Sequence, residues 1–229
     1  MLKQFVARLI RWAAKIQAEV NQKSNADLLM EELRDDARRS TVEFIKNEIP
    51  EAVWFPNKFE MMDYALQRLV DGLILEFGVW MGRTINFIAS RTDRTVHGFD
   101  SFEGLPELWK GFRYVDFSTQ KSLPAVKENV QLHIGWFDAT LPRFLAEYRE
   151  PAAFLHIDCD LYRSTRTVLD LIGDRIREGT YIEFDDYFCF PGWRNHSHKA
   201  FREFLDEWNI GAEYIGFTGD QVLVRILRR

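Results

Sequence analysis

Phe154-Leu-His-Ile-Asp158-Cys-Asp160-Leu-Tyr162 is an apolar run that stops in carboxylates, and Glu183-Phe-Asp185-Asp186-Tyr187 closes a second run in the same way. Short apolar runs bounded like this read as strands. If they are neighbouring parallel strands, their ends place three or four acidic groups in one small volume. That volume lies at the carboxyl edge of the sheet, where open α/β sheets bind their ligands. Carboxylates held so close repel unless a cation lies between them or one stays protonated. The economical reading is an oxygen-liganded divalent ion at Asp158, Asp185 and Asp186.

Working outward, the same pattern recurs. Leu73 to Phe77 is a short apolar run ending at Gly78, and Thr84 to Ser90 then reads as a helix. Thr95 to Phe99 ends at Asp100, and Val130 to Ile134 ends at Gly135. A helix near Leu141 to Tyr148 precedes the Ala153–Ile157 strand, and a helix over Thr165 to Ile176 precedes the strand Thr180 to Phe184. Strands alternating with helices predict an α/β fold, a doubly wound and mostly parallel sheet. The tail differs. Ala212 to Phe217 and Gln221 to Ile226 flank Thr218-Gly219-Asp220, which predicts an antiparallel hairpin. Upstream, Leu2, Phe5, Val6, Leu9, Ile10, Ala13, Ile16 and Val20 recur at helical spacing between basic residues, and Asp27 to Lys46 is a second, highly charged helical run. The expected organisation is an N-terminal helical segment, 1–69, packed on the core or on a partner subunit, followed by one α/β domain, 70–229. A basic amphipathic helix also suits a membrane surface; packing on protein is the preferred reading.

Composition narrows the function. With 229 residues, 46% of them hydrophobic, the chain can bury an ordinary core. Its formal charge of −5 argues against a broad nucleic-acid-binding face. Two cysteines, Cys159 and Cys189, are too few for a disulfide framework and read as buried thiols. No stretch is apolar enough to span a membrane or to serve as a secretory leader, so the expected location is cytoplasmic.

The first strand-to-helix turn, Glu76-Phe-Gly78-Val-Trp-Met-Gly82-Arg-Thr84, bears glycines where a ligand comes close to the backbone. Its spacing is not G-x-G-x-x-G, which weakens a nicotinamide reading. Glu76 is either an acceptor for a cationic amine or a structural carboxylate. Asp100 stands about twenty residues after the glycines at the second strand end, the position from which an acidic residue accepts ribose hydroxyls. Phe102, Trp136 and Phe137 can flank an adenine, with Asp138 available to its amino group; each taken alone is as well explained by core packing.

Five motifs in order then resemble the macrocin O-methyltransferase family: Glu76 to Gly82, Gly98 to Pro106, Gly135 to Pro142, His156 to Tyr162 with Ser164-Thr165, and Asp185-Asp186-Tyr187. The resemblance spans roughly residues 70 to 208. It implies a class I methyltransferase, Rossmann-like, with an antiparallel C-terminal hairpin strand. It also implies S-adenosylmethionine as cofactor, with Glu76, Gly78, Asp100, Ser101, Trp136 and Asp138 lining its pocket, and Mg2+ at Asp158, Asp185 and Asp186. The implied reaction is O-methylation of a small hydroxylated acceptor such as a sugar or glycoside, and a homodimer is compatible with it. Two departures stand out: Glu178-Gly179 replaces a Gly-Gly turn, and Glu183 stands where an apolar residue is expected.

Methyl transfer to an alcohol needs an aligned oxygen and a base for its proton. Asp158 and Asp186 are expected in the catalytic set. The base is expected among metal-side carboxylates not fully committed to the ion, or at His196 or His198. His156, His97 and His133 read as packing or hydrogen-bonding residues. Asp160 is expected to cap the following helix. Glu183 is expected to face solvent at an exposed edge, the alternative being a place in the metal site. The aromatic loop Tyr187 to Trp193 is either a lid over the acceptor or a loop packed on the sheet. Rival readings are a nucleotide- or nicotinamide-dependent oxidoreductase and a non-catalytic cofactor-binding relative.

Overall fold

The computed structural model describes residues 5–13, 24–109 and 115–228. Eight strands form one sheet: β1 (Val53–Trp54), β2 (Leu73–Phe77), β3 (Val96–Asp100), β4 (Val130–Ile134), β5 (Ala152–Ile157), β6 (Tyr181–Phe184), β7 (Gly211–Phe217) and β8 (Val222–Arg228). Their order across the sheet is β1-β7-β8-β6-β5-β2-β3-β4. All neighbours are parallel except where β8 lies between β6 and β7, antiparallel to both. The chain order reverses at β2, between β3 and β5, and this switch point is where such sheets open a ligand crevice.

The helices are α1 (5–13), α2 (Asn25–Glu48), α3 (Lys58–Leu66), α4 (Arg83–Ala89), α5 (Phe137–Glu147), α6 (Tyr162–Ile172) and α7 (Ser197–Trp208). The rest of the amphipathic N-terminal run lies outside the described residues. Within α1, Phe5, Leu9, Ile10 and Trp12 are exposed. A reciprocal capping box between Ser24 and Asp27 starts α2. Its Ala37, Thr41 and Phe44 are buried, and the Phe44 ring lies 5.5–6.3 Å from those of Tyr187, Phe188, Trp193 and Tyr214. No described helix is long and apolar enough to cross a membrane.

Strand alternation divides the core into two layers. Leu75, Phe77, Leu155, Ile157, Ile182 and Phe184 belong to one layer, together with α5, α6 and α7 residues. Ile74, Phe154, Tyr181 and Leu223 belong to the other, under Met61, Met62 and Ala65 of α3 and Ile85 and Ile88 of α4.

The sequence predicts β2 and β4 residue for residue and the remaining long strands to within a residue or two. It places α5 too late: the helix begins at Phe137, contains Pro142, and is held by burial of Leu141 and Phe144. It misses β1, α3 and α7. β1 has two residues and is exposed, and α3 has only nine, too short for a clear periodic signal. Because β1 pairs with β7, the residues before 70 contribute a strand to the sheet itself.

Candidate active site

A cavity of about 490 Å³ opens at the carboxyl ends of β2, β3, β5 and β6. At one end the chain leaves β2 through Gly78, whose φ of 94° lies in the region that favours glycine, and a Cβ there would sit 1.8 Å from the Asp158 carbonyl oxygen. The β2 and β5 chains can pass this closely only without that atom. Asp100, at the end of β3, accepts hydrogen bonds from the Val79 and Trp80 amides at 2.8 Å with one oxygen and from the Phe102 amide at 2.7 Å with the other. Its carboxylate thereby fixes the glycine turn as well as facing the cavity. Ser101, Trp80, Trp136 and Phe137 line the same end.

Three expected cofactor contacts are placed elsewhere. Phe102 is 1% exposed and packs among Val79, Ile85 and Met61, so it supports the turn from beneath. Asp138 is exposed in the first turn of α5 and is not among the cavity-lining residues. Glu76 is fully buried and does not line the cavity: its Oε1 lies 2.9 Å from His156 Nδ1 and its Oε2 has no partner. The open choice for Glu76 thus falls to the structural carboxylate, because β2 turns its side chain towards β5 rather than outward.

At the other end of the cavity the strand-end aspartates converge, in an arrangement different from the expected trio. Ligand atoms of Asp158, Asp160 and Asp186 lie within 4.8 Å of one another, and those of His156, Asp158 and Asp185 form a second such group. Asp158 is shared. Asp185 is drawn aside by Lys58, whose Nζ donates to its Oδ1 at 2.8 Å, and His156 Nε2 stands 3.7 Å from the same oxygen. Asp160 does not cap α6: the cap residue is Leu161, with no side-chain cap bond. Instead Asp160 has a φ of 60° and its carboxyl comes within 4.8 Å of that of Asp186.

Glu183 corrects the sequence reading outright. It is fully buried, because β8 covers β6 and makes it an interior strand. In register, Glu76, His156 and Glu183 stand side by side on β2, β5 and β6, facing the α3 layer, and neither Glu183 oxygen has a hydrogen-bond partner.

The electrostatics follow from crowding. Burial, then the neighbouring Asp185 charge, pushes the Asp158 carboxyl well above the usual range. Burial and the Asp158 charge bring Asp160 up to about 7. Burial and Asp160 raise Asp186 strongly, and burial takes Glu183 to about 8. Asp185 is the exception. Burial opposes its ionisation, yet the neighbouring His156 and the Lys58 ammonium hydrogen-bonded to it hold it at about 2. Conversely, despite burial, the Asp185 carboxylate 3.7 Å from Nε2 and the Glu76 carboxyl hydrogen-bonded to Nδ1 raise His156 well above its ordinary value. Among the described residues, the six carboxyl groups of Glu76, Asp158, Asp160, Glu183, Asp185 and Asp186 gather around the side chains of Lys58 and His156. The Asp158, Asp160 and Asp186 group is an all-oxygen donor set whose crowding suppresses ionisation, an environment a hard divalent cation would relieve.

The histidine expectation is not met. His196 is buried beside Phe190 and Trp109, at ring separations of 5.5 and 6.4 Å, and lines a smaller neighbouring recess rather than the main cavity. His198 is wedged among Phe44, Tyr187 and Trp193, and burial lowers it to about 4. The loop from Tyr187 to Trp193 is packed: Tyr187, Phe188, Phe190 and Trp193 are all in the core. Two cavity-lining cations went unseen in the sequence, Lys58 and Arg83. Lys58 is 127 residues from its partner Asp185, and no local pattern marks it.

Residues 75–187 match a family model described as a methyltransferase domain. The chain is 30% identical over 178 residues to demethyldecarbamoylnovobiocin O-methyltransferase from Streptomyces niveus, covering 67% of this chain and 65% of that protein. It is 29% identical over 181 residues to mycinamicin III 3''-O-methyltransferase from Micromonospora griseorubida, covering 67% and 68%. It therefore spans about two thirds of the length of these relatives. The solved O-methyltransferase NovP has a TM-score of 0.58 and 26% identity, covering 75% of this chain and 80% of that one. The calicheamicin methyltransferase CalS11 shares the fold, with a TM-score of 0.63 at 22% identity over 89% of this chain and 94% of that one. With this strand order, this switch-point cavity and these relatives, the chain belongs to the class I S-adenosylmethionine-dependent methyltransferases.

Proposed function

We propose that the chain methylates a hydroxyl group of a small polyhydroxylated acceptor, such as a sugar or glycoside, with help from a divalent ion, magnesium by its donor chemistry. The observation that carries this reading is the continuity of one cavity. The Gly78 turn and Asp100 line one end, and Asp158, Asp160, Asp185 and Asp186 line the other end of the same cavity. A methyl donor at the first end faces an acidic, cation-seeking surface at the second. Both curated relatives are named as O-methyltransferases, which supports oxygen as the acceptor atom.

The chain's own residues supply most of the chemistry. The Val79–Gly82 turn and Asp100 hold the cofactor, with Trp80 and Trp136 available to flank its base. Asp158, Asp186 and Asp185 would hold the ion, which when bound acts as a Lewis acid towards an acceptor oxygen. Asp160, with its carboxyl near neutrality, is suited to accept the hydroxyl proton. S-adenosylmethionine, when bound, would supply the methyl group to the acceptor oxygen with breakage of its own carbon–sulfur bond, and Asp160 would take and keep the hydroxyl proton. Trp109 and Phe117 add apolar lining to the cavity, which would limit the water able to compete for the methyl group.

Two measurements test this. Calorimetry should detect S-adenosylhomocysteine binding, weakened ~10-fold or more by Asp100→Ala, which removes a charged hydrogen-bond acceptor. Labelled methyl groups should then pass to members of a glycoside panel in the presence of magnesium. Absence of cofactor binding at millimolar concentration would sink the reading.

A further inference from the structure

Lys58 occupies the first position of α3, just after the Asn57 cap. The helix beneath it is fixed, since Met61, Met62 and Ala65 are fully buried. From there the side chain reaches the far end of β6, where its ammonium and Asp185 are 22% and 15% exposed. Asp185 Oδ1 thus already carries one direct cationic contact from Lys58 and a longer approach from His156. Meanwhile Asp158, Asp160 and Asp186 converge without Asp185. An ammonium seated on a carboxylate and a divalent ion seeking the same oxygens exclude one another, by repulsion as well as by occupancy.

We propose that Lys58 is a built-in counter-cation that competes with the divalent ion for Asp185 and so sets how tightly the site holds that ion. The inference rests on the metal-assisted reading above and adds a residue to it. Lys58 acts on the ion through Asp185. Its removal therefore frees a ligand for the ion and does not destroy a site.

Manganese, counted as free ion by electron paramagnetic resonance, reports the binding directly and without turnover. Wild type should bind it measurably, and Lys58→Met should bind it ~10-fold more tightly, as expected when a contacting cation is removed. Lys58→Gln serves as a second uncharged variant should the first fold poorly, and Lys58→Arg should stay near wild type. In an Asp185→Asn background the gain from Lys58→Met should fall below ~2-fold, because coupled partners are non-additive. Unchanged or weaker binding by folded Lys58→Met and Lys58→Gln overturns the proposal. So does an undiminished gain in the Asp185→Asn background, which reduces Lys58 to a distant charge. If wild type and both variants fail to bind millimolar manganese, the metal reading falls and takes this inference with it. Wild-type binding therefore separates the two failures.

Discussion

At the β2–β3 end of the cavity Asp100 commits its carboxylate to three backbone amides, whereas at the β5–β6 end Asp158, Asp160 and Asp186 face one another with raised proton affinity. Both ends are built from acidic residues at strand termini. The first end has its hydrogen bonds made by the fold itself, so it is organised before a ligand arrives. The second is frustrated by like charges and is relieved only partly, through Lys58 and His156 on Asp185. Satisfied polar groups rigidify a site, and unsatisfied ones store a demand for a partner. The cofactor end thus reads as a preformed cradle and the acceptor end as a surface completed by what binds to it.

The largest expected effect separates the two ends by function. Asp158→Asn removes the carboxylate shared by both acidic groups and should lower the methyl-transfer rate on the order of 10³-fold, the several kcal/mol a Lewis-acid site supplies. Affinity for S-adenosylhomocysteine should change by less than ~2-fold, because Asp158 lies outside the cofactor's expected contacts. Equal loss of rate and cofactor affinity would mean that the ends are not independent. The second effect concerns folding. Gly78→Ala drives a Cβ to within 1.8 Å of the Asp158 carbonyl oxygen at a positive φ, and should cost about 3 kcal/mol in denaturant unfolding, from strain and overpacking. A loss well under 1 kcal/mol would show that β2 and β5 can shift apart at the switch point.

The two ends also differ in how well the sequence revealed them. Gly78, Asp100 and Trp136 are local signals, each a residue type at a strand end, and strand ends are legible from short apolar runs. The acidic cluster was legible in the same way: Asp158, Asp185 and Asp186 all line the cavity. What the sequence could not show was the partition of that cluster, because Lys58 arrives from a helix 127 residues away. Asp160 was misread because helix capping is a common use for a carboxylate before a helix, and only its positive φ turns it to Asp186. Glu183 was misread because its burial depends on β8 pairing alongside β6, a tertiary fact. His196 looked available in a polar loop, but the loop's aromatic residues fold inward and take it with them.

The smallest expected effect turns the comparison into a pH profile of stability. Beneath the cofactor end, His97 Nδ1 lies 3.1 Å from His133 Nε2, and burial, followed by the His133 charge, lowers His97 from 6.5 to about 4. Between those values the unfolded chain holds a proton that the folded one does not. Stability contributed by His97 is therefore present above 6.5 and lost as the pH falls towards 4. Glu183 behaves oppositely. Burial raises it from 4.5 to about 8, so the folded chain holds the extra proton. Its contribution is present below 4.5 and lost as the pH rises through 8. Chemical denaturation of the metal-free protein from pH 4 to pH 9 should accordingly show an acid limb shared by His97, His133 and His198 and an alkaline limb to which Glu183 contributes beside Asp158, Asp160 and Asp186. Glu183→Gln keeps the shape without the titration, and should leave the acid limb alone while raising stability at pH 9 on the order of 1 kcal/mol. His97→Gln should shrink only the acid limb, since His198 is lowered to about 4 as well. An alkaline limb undiminished in Glu183→Gln would place the frustration on the aspartates alone. The buried Glu76–His156–Glu183 row would then be a settled part of the sheet rather than an extension of the acceptor end.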